Sequence, residues 1–375
     1  MLVVALKETR PYEKRVAISP DSVARLKKLG YDVGLEKGAG ENAGYSNFNY
    51  SDSGAMVLEQ SELLKEAAVI LCAQMPEKNV INAIAQGSTI IGMLSPLTMT
   101  EEVKLLCEKK VTAFSLEFLP RISRAQSMDV LSSQATVSGY IAALDAAISL
   151  PKFFPMFMTA AGTIPPAKVF IIGAGVAGLQ AIATARRLGA NVKAYDVRSA
   201  AKEEVQSLGA TFVDLNLETQ EGEGGYAKEQ SEEFIKKQQA LMKDQIASSD
   251  AVITTAQIPQ RKAPTIVTQE MVEAMAPGTV IVDLAAESGG NCELSKPGEV
   301  IMHNSVKIIG AQNYPSRLPT HASFLLARNY YEFLNLATKD GNFQPDFNDE
   351  IIAQTCVIKE GSVVNQTLKE MLKEG

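Results

Sequence analysis

The chain has 375 residues, more than a single hydrophobic core usually holds, with 46% apolar and 21% charged residues as in ordinary globular proteins. Its net charge of −7, with both signs interspersed, argues against nucleic acid as a partner, because a basic face is the expected footprint there. Four scattered cysteines imply no disulfide framework, and with only two histidines no metal centre is expected.

In chain order, residues 2–6 form a strand candidate. Pro20 opens a helix through Val23, Leu26 and Leu29 that Gly30 stops. Residues 33–35 continue as a strand, 63–67 as a helix and 68–73 as a buried strand. Residues 89–94 and 111–114 repeat the strand pattern, with a helix at 101–109 between them. This alternation predicts a parallel sheet with helices on both faces. Residues 126–150 place small and apolar side chains at helical spacing, which predicts one long joining helix ended by Pro151 and Pro155.

The segment Lys168-Val-Phe-Ile-Ile-Gly173-Ala-Gly175-Val-Ala-Gly178-Leu is the most informative one. A β-branched run leads into three glycines at dinucleotide-binding spacing, followed by a helix that Gly189 ends and a short strand that finishes at Asp196. Gly173 permits the tight turn, Gly175 lets backbone approach a pyrophosphate, and Gly178 lets the helix pack on the strand. Val176 lies in the turn itself, where helix N–H groups meet phosphates. Asp196 follows Gly173 by 23 residues, about where a carboxylate meets a ribose 2′-hydroxyl and repels a 2′-phosphate, so NAD is favoured over NADP. Arg198 points the other way, since an arginine near that position can hold a 2′-phosphate. Asp196 lies closer to the expected strand end and weighs more.

Further strands are expected at 211–213, 251–254, 280–284 and 307–309, which makes a second doubly wound sheet. Between the first two lies a long insertion, residues 216–243, whose glycine-rich, charged start predicts a mobile loop and whose second half, 232–242, reads as a helix. Residues 322–336 form another helix. Residues 351–358 and 363–364 form a hairpin around Gly361, expected to pack back on the first domain.

A second constellation, Arg121-Ile-Ser-Arg124-Ala-Gln126-Ser127-Met128-Asp129-Val-Leu-Ser132, gathers charges, an amide and hydroxyls at the expected junction of the two sheets. One reading is a ligand crevice at strand ends. The other is a polar loop whose Ser127 or Asp129 caps the joining helix. Both readings can hold together.

These motifs, with Ala-Ala-Gly162-Thr-Ile-Pro-Pro-Ala, Gly-Gly-Tyr226-Ala-Lys-Glu and Asp283-Leu-Ala-Ala-Glu-Ser-Gly-Gly-Asn-Cys, closely resemble the NAD(H)-binding component (domain I, the first portion of the alpha subunit) of proton-translocating NAD(P)+ transhydrogenases over essentially the whole chain. A more distant likeness links the same fold to alanine dehydrogenase. The resemblance implies that Arg121, Gln126 and Asp129 form the loop beside the nicotinamide. It implies that Ser127, Met128 and Ser132 help hold that end, with Ser132 the matching serine. Asp196, Val197 and Arg198 would contact the adenosine ribose. Gly225 and Tyr226 would tip a mobile loop that closes over NAD(H), and Gln238 and Gln257 would be further nucleotide contacts. It also implies a homodimer, an NADP(H)-binding partner subunit and a membrane proton-channel subunit. The chain would then sit peripherally on the cytoplasmic face of the inner (plasma) membrane, since no run of about 18 apolar residues is present to span it and residues 1–8 lack a signal-peptide pattern.

The expected architecture is α/β: two doubly wound parallel-sheet, Rossmann-like domains with a cleft between them. Residues 1–125 plus 320–375 make the first, and 126–319 the NAD(H)-binding one. The expected reaction is direct hydride transfer between NAD(H) on this chain and NADP(H) on a partner, of the Si-specific/Re-specific proton-translocating type and active only with partner subunits. The alternative is an amino-acid oxidoreductase like alanine dehydrogenase. Such a site must move a proton along with the hydride and needs an acid–base group. In the positions that resemble the alanine dehydrogenase lysine and histidine, this sequence has Gln74 and Ser95; Arg15 is retained. Transfer between two nicotinamides moves no substrate proton and asks for positioning and exclusion of water. A binding protein that senses NAD without catalysis is the third reading.

Overall fold

In the computed structural model the chain divides into two compact units, Met1–Gln134 with Pro315–Gly375, and Ala135–Tyr314. The structure describes residues 1–214, 232–257 and 261–374, without the side chains of 232–238, 373 and 374.

The first unit begins with six strands: β1 (Leu2–Ala5), β2 (Asp32–Glu36), β3 (Met56–Leu58), β4 (Val69–Cys72), β5 (Thr89–Gly92) and β6 (Thr112–Ser115). The second holds β7 (Phe157–Thr159), β8 (Gly162–Ile164), β9 (Lys168–Ile172), β10 (Asn191–Tyr195), β11 (Thr211–Phe212), β12 (Ala251–Thr254), β13 (Val280–Asp283), β14 (Val300–His303) and β15 (Val306–Gly310). The chain then returns to the first unit with β16 (Thr338–Lys339), β17 (Asn342–Phe343), β18 (Cys356–Lys359) and β19 (Ser362–Val363).

The first sheet runs β19-β18-β6-β5-β4-β1-β2-β3, with β1 to β6 parallel and β18 antiparallel to β6. The second runs β11-β10-β9-β12-β13-β15-β14, parallel except for β14 at the edge. Each sheet reverses its strand order once, between β1 and β4 and between β9 and β12, and α/β folds bind ligands at the carboxyl ends beside such reversals. The doubly wound α/β class expected from the sequence is therefore the one observed. The central strands are apolar on both faces (Val69–Cys72 and Val280–Asp283 are buried throughout), as helices on both sides require.

Three segments differ from expectation. The joining helix begins at Val130, not 126, and ends at Ser149. Residues Ser123–Met128 instead make a 3-10 turn, because Asp129 stops the helix there: its Oδ1 accepts the Ser132 amide at 3.0 Å and its carbonyl accepts the Ser133 amide. In the tail, the first half of the expected strand 351–358 is a helix, Glu350–Thr355, because Asp349 caps it by accepting the Ile351 amide at 2.9 Å. The strand proper begins at Cys356, and its hairpin with β19 turns at Gly361 as expected. The short helices Asn47–Asp52 and Lys78–Ala83, strands β3 and β14, and the β7–β8 hairpin were not legible in the periodicity.

Candidate functional site

The glycine turn of the second unit shows why each glycine stands where it does. Gly173 has φ +98°, a left-handed conformation, and its amide donates to the Tyr195 carbonyl at 2.8 Å, which ties the turn to the end of β10. A Cβ at Gly178 would lie 1.9 Å from the Gly173 carbonyl oxygen, so the helix Val176–Arg187 touches its strand there. A Cβ at Gly175 would meet nothing within 4 Å. Packing inside the protein therefore does not demand glycine at 175; a molecule outside it does. Gly175 is the N-cap of that helix, and Val176 beside it is 41% exposed. The helix N-terminus thus opens onto solvent, as a phosphate site requires.

Asp196 follows β10 and is 9% exposed. Its Oδ2 accepts the Ala174 amide at 2.6 Å, and its Oδ1 accepts the Arg198 amide at 2.8 Å. The Arg198 guanidinium closes on the same carboxylate, with Nε 2.9 Å from Oδ1 and Nη2 3.0 Å from Oδ2. The sequence left Arg198 as a rival to Asp196. The structure makes it a partner, turned onto the carboxylate, and Val197 lies half-buried between them.

The turn is backed by the end of β12. Thr255 Oγ1 donates to the Gly173 carbonyl at 3.0 Å. Asn291, fully buried, holds the next residue by both its groups, accepting the Ala256 amide at 2.9 Å and donating to the Ala256 carbonyl at 2.8 Å. Gln257 is exposed and donates to the Leu284 carbonyl at 2.9 Å. Asp283, also fully buried, accepts from Thr254 Oγ1, the Ala285 and Cys292 amides and Ser295 Oγ. The motif around Asp283, Asn291 and Cys292 is thus the buttress of the nucleotide turn. Gly225, Tyr226 and the Gln238 side chain lie outside the described residues.

In the first unit a cavity of about 360 Å³ lies beside the end of β6, walled by Glu117, Arg121, Ile122, Gln126, Asp129 and Ser132. Its polar groups are linked. Arg121 Nη1 lies 2.5 Å from Asp129 Oδ2 and 3.5 Å from Ser132 Oγ, and Ser132 Oγ donates to Asp129 Oδ2 at 2.5 Å. Asp129 therefore performs both expected tasks, capping the joining helix with its backbone and one oxygen while it orients Arg121 with the other. Gln126 and Ser127 are exposed on the same turn. Met128 is 6% exposed and packs in the core, so its backbone and not its side chain faces outward.

Sequence reasoning missed Glu117. Its carboxylate accepts the Ser95 amide at 2.6 Å, Ser95 Oγ at 3.0 Å and Ser115 Oγ at 2.7 Å. Ser95 is thereby held at φ +43°, in the left-handed region. Only the position of Glu117 just past a strand end could have drawn attention to it.

Arg15 is 4% exposed and spends its fork inside the protein: Nε and Nη2 bind the two Glu13 oxygens at 2.8 and 2.6 Å, and Nη1 donates to Gln134 at 3.0 Å. Burial raises the Glu13 pKa, but the hydrogen bonds and charge of Arg15 outweigh it and hold the carboxyl at about 2. Nearby Glu8 accepts the Ala73 amide, and burial together with the Glu13 charge pushes its pKa to about 8. Among the described residues no cluster of three or more histidine, cysteine or acidic side chains is placed to hold a metal, and no helix is long and apolar enough to cross a membrane.

Comparison with known proteins agrees with this geometry. The family profile described as "Alanine dehydrogenase/PNT, N-terminal domain" matches residues 4–138, and "Alanine dehydrogenase/PNT, C-terminal domain" matches 142–366. The first of the separately encoded portions of NAD(P) transhydrogenase subunit alpha in Rhodospirillum rubrum is 44% identical, over 98% of this chain and 99% of that protein. The crystal structure of transhydrogenase from Sinorhizobium meliloti superposes with a TM-score of 0.88 at 44% identity, covering 97% of this chain and 100% of that one. An L-alanine dehydrogenase structure shares the fold, with a TM-score of 0.85 at 21% identity over 100% of this chain and 99% of that one. The chain belongs to the alanine dehydrogenase/PNT family, and within it to the NAD(P) transhydrogenase alpha subunits.

Proposed function

We propose that this chain is the NAD(H)-binding subunit of a proton-translocating NAD(P)+ transhydrogenase. NAD(H) binds with its pyrophosphate at the turn 173–178, its adenosine ribose at Asp196, Val197 and Arg198, and its nicotinamide end at Arg121, Gln126, Ser127, Met128, Asp129 and Ser132. Gly225, Tyr226, Gln238 and Gln257 complete the nucleotide contacts. Hydride passes from the C4 of this nicotinamide to that of NADP+ on a separate NADP(H)-binding subunit, and a membrane subunit couples the transfer to proton movement.

The observation that carries this reading is the open space at Gly175, beside a helix N-terminus and the Asp196 carboxylate, in a chain 44% identical along its length to a transhydrogenase subunit. The chain's own residues bind and orient. Asp129 fixes Arg121 and Ser132 against the nicotinamide, and Asp196 takes ribose hydroxyls in place of the guanidinium that now covers it. The amino-acid dehydrogenase alternative fits the residues less well. The positions that would carry its lysine and histidine are Gln74 and Ser95, Ser95 is bonded to Glu117, and Arg15 is bonded to Glu13 and Gln134.

The homodimer has its own support. Strands β7 and β8 are exposed along their whole length, and Phe157, Met158 and Ile164 join Ile148, Phe153 and Met156 in an apolar patch at 40–83% exposure. A second copy of the chain is the occupant we assign to it. The complex would hold this subunit peripherally at the cytoplasmic face of the inner membrane. The test is binding of NADH and NADPH followed by nicotinamide fluorescence: selective binding of NADH is expected, and equal affinity for the two would overturn the ribose assignment.

A further inference from the structure

The loop that carries Arg121, Gln126 and Asp129 has little secondary structure of its own, only a 3-10 turn over Ser123–Met128. Something else must hold it, and the holding groups come from about 200 residues further along the chain. Helix Pro319–Ala337 buries a stripe through Ala322, Leu326, Asn329, Tyr330, Phe333 and Ala337. At that spacing every member should be apolar, yet one is an asparagine, 7% exposed. A buried amide is costly unless both of its groups are bonded. Here both are, and both bonds go to the loop and the helix it starts. Nδ2 donates to the Ser127 carbonyl at 2.8 Å, and Oδ1 accepts from Ser133 Oγ at 2.7 Å. A carbonyl only accepts, so the orientation of the amide is dictated by its partners.

A second tie comes from the same end of the chain. Arg124, in the middle of the 3-10 turn, makes a two-pronged contact with Asp349, Nη1 to Oδ2 at 2.5 Å and Nη2 to Oδ1 at 3.3 Å. Asp349 is itself fixed as the cap of the helix Glu350–Thr355. The two ties grip opposite ends of the turn, one at Arg124 and one at Ser127, and Gln126 lies between them. Ala125 and Met128 pack beneath, in the core that also contains Leu326 and Tyr330.

We propose that Asn329, assisted by the Arg124–Asp349 pair, is a positioning residue for hydride transfer: the C-terminal segment sets the register of the loop that faces the nicotinamide. This rests on the transhydrogenase reading. It assigns the return of the chain to the first unit a task beyond completing the sheet. Without the amide the Ser127 carbonyl loses its donor and the turn relaxes, so Gln126 and Arg121 drift from their places. Nucleotide affinity, carried largely by the turn at 173–178 and Asp196, changes little.

The experiment compares wild type, N329A and R124A in two assays: NADH affinity by nicotinamide fluorescence, and the rate of hydride transfer from NADH to an NADP+ analogue with the NADP(H)-binding partner subunit added. A misplacement of about an ångström is enough for a loss of about tenfold in rate for N329A. A smaller loss is expected for R124A, whose side chain is half exposed, with NADH affinity within about twofold of wild type in both. A transfer rate unchanged in N329A would overturn the proposal, as would affinity and rate falling in parallel, which marks a general structural role. If N329A does not fold, R124A decides alone, and an unchanged rate in it overturns the proposal. Failure of wild type to transfer hydride with the partner present would instead indict the transhydrogenase reading.

Discussion

The glycine turn at 173–178 and the loop at 121–132 both follow the carboxyl end of a parallel strand, yet they are built in opposite ways. The turn is made by what is missing: three side chains reduced to hydrogen, one for conformation, one for packing and one for a ligand. Its main contacts inside the nucleotide unit are with its own flanking strands, β9 and β10, and the end of β12. The loop is made by what is added. Asp129 caps the helix and orients Arg121, and Asn329 and Asp349 reach in from the end of the chain. A turn of the first kind can evolve its affinity locally, whereas a loop of the second kind ties reaction geometry to a distant segment.

The sharpest way to break the comparison is inside the glycine turn. Gly178→Val forces atoms into a space where even a Cβ lies 1.9 Å from the Gly173 oxygen, and it should destabilise the protein by about 3 kcal/mol or more, read as a lowered urea midpoint. Gly175→Ala should leave that midpoint unmoved, because its Cβ meets nothing, while NADH affinity falls about tenfold. Equal loss of stability in both variants would mean that Gly175 serves packing after all. Asp196→Ala should weaken NADH binding by about 1–3 kcal/mol and relax discrimination against NADPH, measured by fluorescence titration. On the loop side, Gln126→Ala should leave NADH affinity nearly intact and slow hydride transfer about tenfold in the assembled complex. An unchanged rate would remove Gln126 from the positioning machinery.

The smallest effect concerns Glu8 in the first unit. Its folded pKa of about 8 stands above its ordinary 4.5, so between those values the folded protein keeps a proton that the unfolded chain releases. Stability therefore falls as pH rises through that window and levels off above it. Glu13 works in the other direction: its stabilisation is fully present above 4.5 and is lost as pH falls toward 2. Glu8→Gln should flatten the decline in melting temperature between about pH 5.5 and 8.5. A decline that persists in the variant would place its origin elsewhere.

The same contrast explains what could be read from the chain before its fold was known. The turn was legible down to the task of each glycine, because a strand, a turn, a helix and an acid lie within about 30 consecutive residues of a βαβ unit. Arg121, Gln126 and Asp129 were legible as a cluster, and the family resemblance gave them roles. Asn329 was not, because at helical spacing it reads as a flaw in an apolar stripe and its partners lie 202 and 196 residues away. Arg198 was read as competing with Asp196 when it binds it, since spacing shows nearness without direction. The early start given to the joining helix has a similar cause. Residues Gln126 to Met128 suit a helix by composition, and only the Asp129 side chain, turned back on the Ser132 amide, ends that possibility. In the tail, Ile351 and Ile352 are as apolar as a strand requires, and Asp349 as a cap decides for helix.

The central claim is that NAD(H) on this chain is a reactant whose counterpart sits on another protein. It is tested by following hydride transfer from NADH to an NADP+ analogue with this chain alone, with the NADP(H)-binding partner subunit alone and with both. Transfer only in the mixture is the predicted result. Oxidation of alanine by NAD+ with this chain alone would contradict it.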